Sequence, residues 1–280
     1  GGGARAVAGA TDGPGAAPDT GTDATGTDAT GTDATGTPAA RRALELLTGW
    51  DCAVGAGSGA ALLYERLVTC LTRRVLGAAL GEPLARQVTG QGDLNAALPG
   101  GPYLATPTDV VLRLLESGRP AIGAAPDPAA VAALLRDALS EAERETVARH
   151  GPDVARWRWG DENRLAFVHP LARAFPALAA VLSRGPLPAG GDLDTVNLSA
   201  RGADGGVLAG NSGPVYRAVY DLADWSRSRA GHAPGQSGHP GSRGYADMIP
   251  GWLAVAPPPL PWGPAPEGRR LILVPAGRSG

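Results

Sequence analysis

The sequence predicts an α+β fold, helical in its first half and strand-rich in its second. Up to about Gly151, apolar residues recur at helical spacing behind starts that pair a capping residue with proline. After about Gly160 the texture changes to short apolar runs separated by Gly and Pro, which read as strands. Helices first and strands later, without strand–helix–strand alternation, indicate α+β rather than a parallel α/β sheet.

Residues 1–37 are almost entirely Gly, Ala, Thr, Asp and Pro, and Gly-Thr-Asp-Ala-Thr repeats three times from Gly21 to Thr35. A segment with so few large apolar side chains does not offset the backbone entropy of ordering, about 1–2 kcal/mol per residue, so a disordered low-complexity linker is expected. Structure is expected from 38 onward. Thr37-Pro38 opens a helix to about Leu47, and a second helix starts near Ser58 and carries Leu62, Leu63, Leu67, Leu71 and Val75. Thr106-Pro107 leads to Val110, Val111, Leu114 and Leu115. Asp127-Pro128 leads to a helix ending near Arg149, with Gly151 beyond it. Strands are predicted over residues 195–198, 215–222 and 270–274, and helix returns over 245–253.

The 280 residues are 43% apolar, enough for a sizeable core, and the 27 acidic and 25 basic side chains leave a net charge of −2. Spread in this way, the charge argues against a nucleic-acid surface and against a patch for anionic membranes, and leaves a neutral small molecule as the expected partner. Every basic residue is Arg. Cys52 and Cys70 are too few for a disulfide framework or a zinc cage, and whether they pair is open; Cys70 falls in an apolar helical stretch, where a thiol packs as a small hydrophobe. Neither an eighteen-residue apolar run nor a signal peptide is visible. The chain opens on Gly1 and its single methionine is Met248, so either an initiator was trimmed or the front of the gene product, with any export signal, lies upstream, and the second is expected.

Four features invite a chemical reading. Val54-Gly55-Ala56-Gly57-Ser58-Gly59-Ala60 resembles the turn of a dinucleotide site, but a helix rather than a strand precedes it and no acidic residue follows at ribose distance, so a loop and helix cap is expected. Ser237 in Gly235-Gln236-Ser237-Gly238-His239 lacks the glycine and helix of a nucleophile elbow, and loop structure is expected there too. His150, His169, His232 and His239 are scattered without metal-ligand spacing, and His169-Pro170 with the Trp157/Trp159 pair is expected to pack and hydrogen-bond. In the predicted strand, Val215, Arg217, Val219 and Asp221 share one face, so a partly buried Asp221 carboxylate needs a partner, and Arg217 is the expected one.

Several segments taken in order resemble the end of the β chain of penicillin acylase family proteins, over about residues 41–275. They are Leu46-Leu47-Thr48-Gly49-Trp50-Asp51 with the helix carrying Leu63-Tyr64-Glu65; Trp157-Arg158-Trp159-Gly160; Phe167-Val168-His169-Pro170-Leu171; and Gly190-Gly191-Asp192-Leu193-Asp194-Thr195-Val196-Asn197. After these come the run from Tyr216 to Trp225, Pro234-Gly235-Gln236-Ser237-Gly238-His239-Pro240, and Tyr245-Ala246-Asp247 before Trp252. Arg243-Gly244, Met248 and Asp161-Glu162-Asn163 depart from the usual family pattern.

The resemblance implies an N-terminal-nucleophile hydrolase with an αββα sandwich, of which this segment forms part, made as an exported precursor and cut into two chains. It implies a periplasmic or extracellular enzyme that cleaves an acylated amine such as a β-lactam side chain or an acyl-homoserine lactone. The family's serine nucleophile, oxyanion asparagine and calcium ligands belong upstream of Trp50-Asp51. The resemblance therefore implies no nucleophile and no cofactor in this segment, and leaves calcium open for the full-length protein. Asn197 and Asn211 lie in other motifs and do not take the oxyanion role. The implied partners are the upstream part of the β chain and an α chain from the same precursor. Asp221 matches an acidic position of cephalosporin-type members and is expected to support the site by orienting a histidine near the nucleophile. The rival expectation is a truncated or decayed homologue with only a structural or partner-binding role.

Overall fold

Two side chains start the longest helices. Ser58 Oγ accepts the Ala61 N–H at 3.0 Å and opens a helix over Gly59–Leu80, and Asp127 Oδ1 accepts the Ala130 N–H at 3.0 Å and opens one over Pro128–His150. The second stops at Gly151, whose φ of 81° ends the helix while its N–H still reaches the Val147 carbonyl. The computed structural model describes residues 38–88, 108–199 and 213–263. The expected linker over 1–37, the cap at Thr106-Pro107, Asn211 and the strand at 270–274 lie outside these residues. The chain divides into two compact units, the first ending at Gly213 and the second beginning at Pro214.

In the first unit the helices are α1 (Pro38–Thr48), α2 (Gly59–Leu80), α3 (Glu82–Val88), α4 (Thr108–Glu116), α5 (Pro128–His150) and the single turn α6 (Trp159–Glu162). The leucine spacing read from the sequence is the buried stripe of α2, where Leu63, Leu67, Cys70, Leu71 and Val75 face inward. Against it α5 sets Ala138 and Ala142, one turn apart and fully buried, so α2 and α5 approach closely. Ala43 and Leu47 of α1 and Val111 of α4 close the sides, and the fully buried Trp157 and Trp159 close the end. Each large apolar side chain buried here contributes about 1.5–3 kcal/mol.

After α6 come β1 (Arg164–Phe167), α7 (Pro170–Ala174), α8 (Ala179–Leu182) and β2 (Arg184–Pro188). β1 and β2 pair antiparallel, Leu165 opposite Leu187, with an irregularity before Phe167. The second unit holds β3 (Tyr216–Val219) and β4 (Arg229–His232), antiparallel with Tyr216 opposite His232, and α9 (Ile249–Leu253). The architecture is mixed helix and small sheets, an α+β arrangement. Its strands are shorter than the sequence suggests. Residues 195–198 are not a strand, because the chain from Gly191 to Asn197 is folded into turns by its own polar groups. The run over 215–222 is strand only from Tyr216 to Val219, because Asp221 begins a tight turn two residues later. Among the described residues no helix is long and apolar enough to cross a membrane.

Candidate functional site

In the first unit, three stretches singled out in the sequence meet at one place. The Gly-rich loop before α2 offers its carbonyls: Ala56 O accepts the Gly160 N–H at 2.7 Å, Ser58 O the Trp159 N–H at 3.0 Å and Val54 O the Gly191 N–H at 2.6 Å. Its Ser58 N–H turns back to Gly55 O at 3.0 Å. A phosphate cradle needs amides aimed at an anion, whereas this loop aims its carbonyls at α6 and at Gly191. The stretch serves as a joint and a helix cap, in line with the reading from the sequence.

Asn163 holds the joint together. Its Nδ2 donates to Ala189 O at 2.9 Å and to Gly191 O at 3.0 Å, its Oδ1 accepts from Ser199 Oγ at 3.4 Å, and the Trp159 indole N–H donates to Gly191 O at 2.8 Å. Asn163 is almost fully buried, so each of these bonds replaces one it loses to water. Gly191 sits at φ 81°, and a Cβ there would overlap the Asn197 carbonyl. Only glycine permits the chain to pass so close. The turn after it is closed by Asp192 Oδ1, which accepts the Asp194 N–H at 2.7 Å, and by Thr195 Oγ1, which accepts the Asp192 N–H at 3.0 Å.

Beneath this joint lies a buried ionic cluster. The Arg66 guanidinium donates to both carboxylate oxygens of Glu162, at 2.6 Å to Oε1, with side-chain exposures of 3% and 6%. His150 Nε2 lies 2.9 Å from Glu162 Oε1, and Glu145 lies 3.7 Å from Arg66. Among the described residues the Arg66 Nε–H is buried without an acceptor. The cluster ties α2, the end of α5 and α6 together, and no hydroxyl or thiol nucleophile is among the groups it joins. Sequence reasoning missed Arg66, and the signal that could have found it is a lone charge inside the apolar stripe of α2, which requires a buried counter-ion. Its partner Glu162, noted in the sequence only as a departure from pattern, gave no such signal.

Cys70, Glu141 and Glu145 bring one thiol and two carboxylates together. Burial first, then Glu145 and Glu141, push the Cys70 thiol up to about 12, which disfavours the thiolate a metal would bind. Arg73 pairs with both carboxylates, at 2.8 Å to Glu145, and Arg74 holds Glu141 at 2.7 Å. Calcium takes oxygen ligands, so this arginine-filled, sulfur-bearing set does not fit it. Cys52 and Cys70 are both free, Cys52 exposed and Cys70 buried.

The second unit carries Asp221 and Ser237. Asp221 lies past the end of β3, and its ion-pair partner is Arg227, with Nη2 2.7 Å from Oδ2, rather than the expected Arg217. Its Oδ1 accepts the N–H groups of Ala223 and Asp224, both at 3.0 Å, and its own N–H reaches Ser228 Oγ at 3.1 Å. Arg217 is committed elsewhere: it donates to the Trp252 carbonyl and lies 3.8 Å from that indole ring. Strand alternation missed this because the strand stops before Asp221 and the turn brings Arg227 back to it.

Ser237 Oγ accepts the His239 N–H and His239 Nδ1 accepts the Gly241 N–H, each at 3.1 Å. These are turn contacts, as expected for a loop. Trp157 donates to Gly151 O at 2.9 Å and His169 Nδ1 accepts the Leu171 N–H at 3.1 Å, so both members of that expectation hydrogen-bond locally.

Comparison with known proteins completes the picture. The profile of the penicillin amidase family matches residues 15–266. The chain is 34% identical over 221 residues to the penicillin acylase 2 proenzyme of Pseudomonas sp. (strain SE83), covering 77% of this chain and 26% of that protein. It is 29% identical over 244 residues to the acyl-homoserine lactone acylase QuiP of Pseudomonas fluorescens, covering 84% and 28%. A third relative, QuiP of Pseudomonas aeruginosa, is 30% identical over 164 residues. The chain spans about a quarter of the length of the first two.

Proposed function

The chain belongs to the penicillin amidase family, and from that premise we propose that it is the C-terminal part of the β chain of an amide hydrolase. In this reading residues 1–37 are a linker and 38–280 contribute helices and strands to an αββα N-terminal-nucleophile sandwich. The substrate is an acylated amine: a β-lactam side chain, an acyl-homoserine lactone or a related amide. The first two classes stand in the names of the relatives. The protein is exported, and its partners are the upstream part of the β chain and an α chain cut from the same precursor; the name proenzyme supports that processing. Calcium, if the assembled enzyme carries it, is held by the upstream segments.

The chemistry follows from a serine that is also a chain terminus. An α-amino group titrates near about 7.7–8, so near neutral pH a useful fraction is free to take the proton of its own hydroxyl. The serine Oγ then bonds to the amide carbonyl carbon, backbone and asparagine donors stabilise the oxyanion, and the C–N bond breaks as the amine leaves with that proton. Water hydrolyses the acyl ester and restores the serine. The nucleophile comes from outside these residues, and Asp221 acts as a positioning residue for a histidine beside it. The turn that fixes its carboxylate through Arg227, Ala223 and Asp224 supports this, because a group that orients another must itself be held.

One observation carries the reading: the family match runs through both units and includes the joint of Ser58, Trp159, Asn163 and Gly191. The test is to assemble the chain with an upstream part bearing an N-terminal serine and to measure amide hydrolysis. Turnover by the 280-residue chain alone would refute it. In the assembled enzyme, Asp221→Asn is expected to lower kcat about tenfold and to move the pH profile of kcat; an unchanged kcat and profile would remove Asp221 from the site.

A further inference from the structure

Between β1 and β2 the chain leaves the ladder as an arm over residues 168–183, and little in the arm is buried. From Pro170 to Leu182 only Ala172 is buried, while Val168, Leu171, Phe175, Leu178 and Val181 are all exposed, Phe175 to 61% and Val181 to 59%. Five large apolar side chains on a stretch this short form the kind of patch that marks an interaction surface. The arm is also free of negative charge. No acidic residue occurs from Asn163 to Gly191, whereas Arg164, Arg173 and Arg184 do, and Arg173 is exposed among the apolar side chains. Among the described residues the ladder beneath holds β1 and β2.

We propose that this arm is the surface on which the chain docks the remainder of a penicillin-amidase-type protein, through an apolar patch on that partner with a carboxylate placed for Arg173. The proposal rests on the reading of this chain as one part of a larger hydrolase. The relatives supply the occupant: about three-quarters of the length of the first two lies outside the match, and that remainder has to meet this quarter somewhere. A lipid surface suits the arm less well. Its helices are five and four residues long, too short for the continuous apolar stripe of a helix lying in a membrane interface.

The test uses the full 280-residue chain, the same chain carrying Phe175→Asp with Val181→Asp, and the separately expressed remainder of the Pseudomonas sp. (strain SE83) proenzyme. Because Phe175 and Val181 are exposed, the double variant is expected to keep the wild-type melting temperature. The wild-type chain is expected to form a 1:1 complex by native mass spectrometry, with slowed amide exchange over 168–188, and the double variant to bind at least tenfold more weakly. A complex that leaves 168–188 unprotected and binds the double variant equally well overturns the docking surface while leaving the larger reading intact. No complex with the wild-type chain overturns both. Binding of the wild-type chain, but not the variant, to phosphatidylglycerol vesicles in place of the remainder assigns the arm to lipid and also overturns the proposal.

Discussion

Replacing Glu162 by alanine tests how the joint is held. The change leaves the Arg66 guanidinium, 3% exposed and already with an unsatisfied Nε–H, without its bidentate partner. Removing one member of a buried ion pair costs about 3–5 kcal/mol, since the remaining charge is stranded away from water. Glu145, 3.7 Å from Arg66 and 30% exposed, recovers part of this, so a loss of about 3 kcal/mol is expected. Urea unfolding followed by far-UV circular dichroism reads it, because α2 and α5 dominate the helical signal. For a chain of this size the loss corresponds to a fall of roughly 6–12 °C in Tm. Arg66→Met combined with Glu162→Leu should recover most of the deficit, because apolar replacement of both partners removes the stranded charge and the orphaned donor together. Asp109→Ala, which breaks an exposed pair with Arg113 on α4, should leave the midpoint unchanged. A loss below about 1 kcal/mol for Glu162→Ala, or a double variant weaker than both singles, would show that the cluster does not hold the joint.

Gly191→Ala should cost about 2–4 kcal/mol and reduce soluble yield, because it sets a Cβ at φ 81° against the Asn197 carbonyl; a melting curve like that of wild type would contradict the close approach. Iodoacetamide at pH 8 should label Cys52 quickly and Cys70 only on unfolding, so mass spectrometry of the native protein should count one adduct. Because burial pushes the folded Cys70 thiol up to about 12, the unfolded chain ionises first, and stability should fall as pH rises above about 9; Cys70→Ala should remove the part of that loss that sets in below about 10, where Tyr64, also pushed up to about 12 by burial, begins to add its own. Burial alone would raise the Glu141 carboxyl, but hydrogen bonds from Arg74 and Arg73 outweigh it and hold it below its usual value. Its contribution is therefore present above about 4.3 and lost as pH falls through the lowered value, and Glu141→Gln should flatten that acid limb of the unfolding free energy.

The helical part of the fold was legible because its signals are local. Ser58 and Asp127 each cap an amide three residues onward, and the leucines of α2 lie on one face whatever they pack against. The strands were less legible. Alternation over 215–222 marks a β-capable stretch, but where pairing ends depends on β4, ten residues and a turn away. The same holds for residues 195–198: the amides of Asp192 and Asp194 just before them turn to Thr195 Oγ1 and Asp192 Oδ1, and the Thr195 hydroxyl donates to the Asn197 carbonyl that a strand would have given to a neighbour. Asp221 was found by chemistry and its partner missed, since Arg227 reaches it only after the chain has turned.

By itself, then, the sequence determined the α+β class, the long helices with their caps, and the family, since each is written in residue order and short spacing. The tertiary structure decided which groups meet: Arg66 with Glu162, Asn163 with the carbonyls of Ala189 and Gly191, and the Gly-rich loop with α6. The reason is physical. A cap or an apolar stripe satisfies groups within a turn or two of itself, whereas a buried charge or amide takes whatever partner the packed chain delivers, here 26 to 96 residues away.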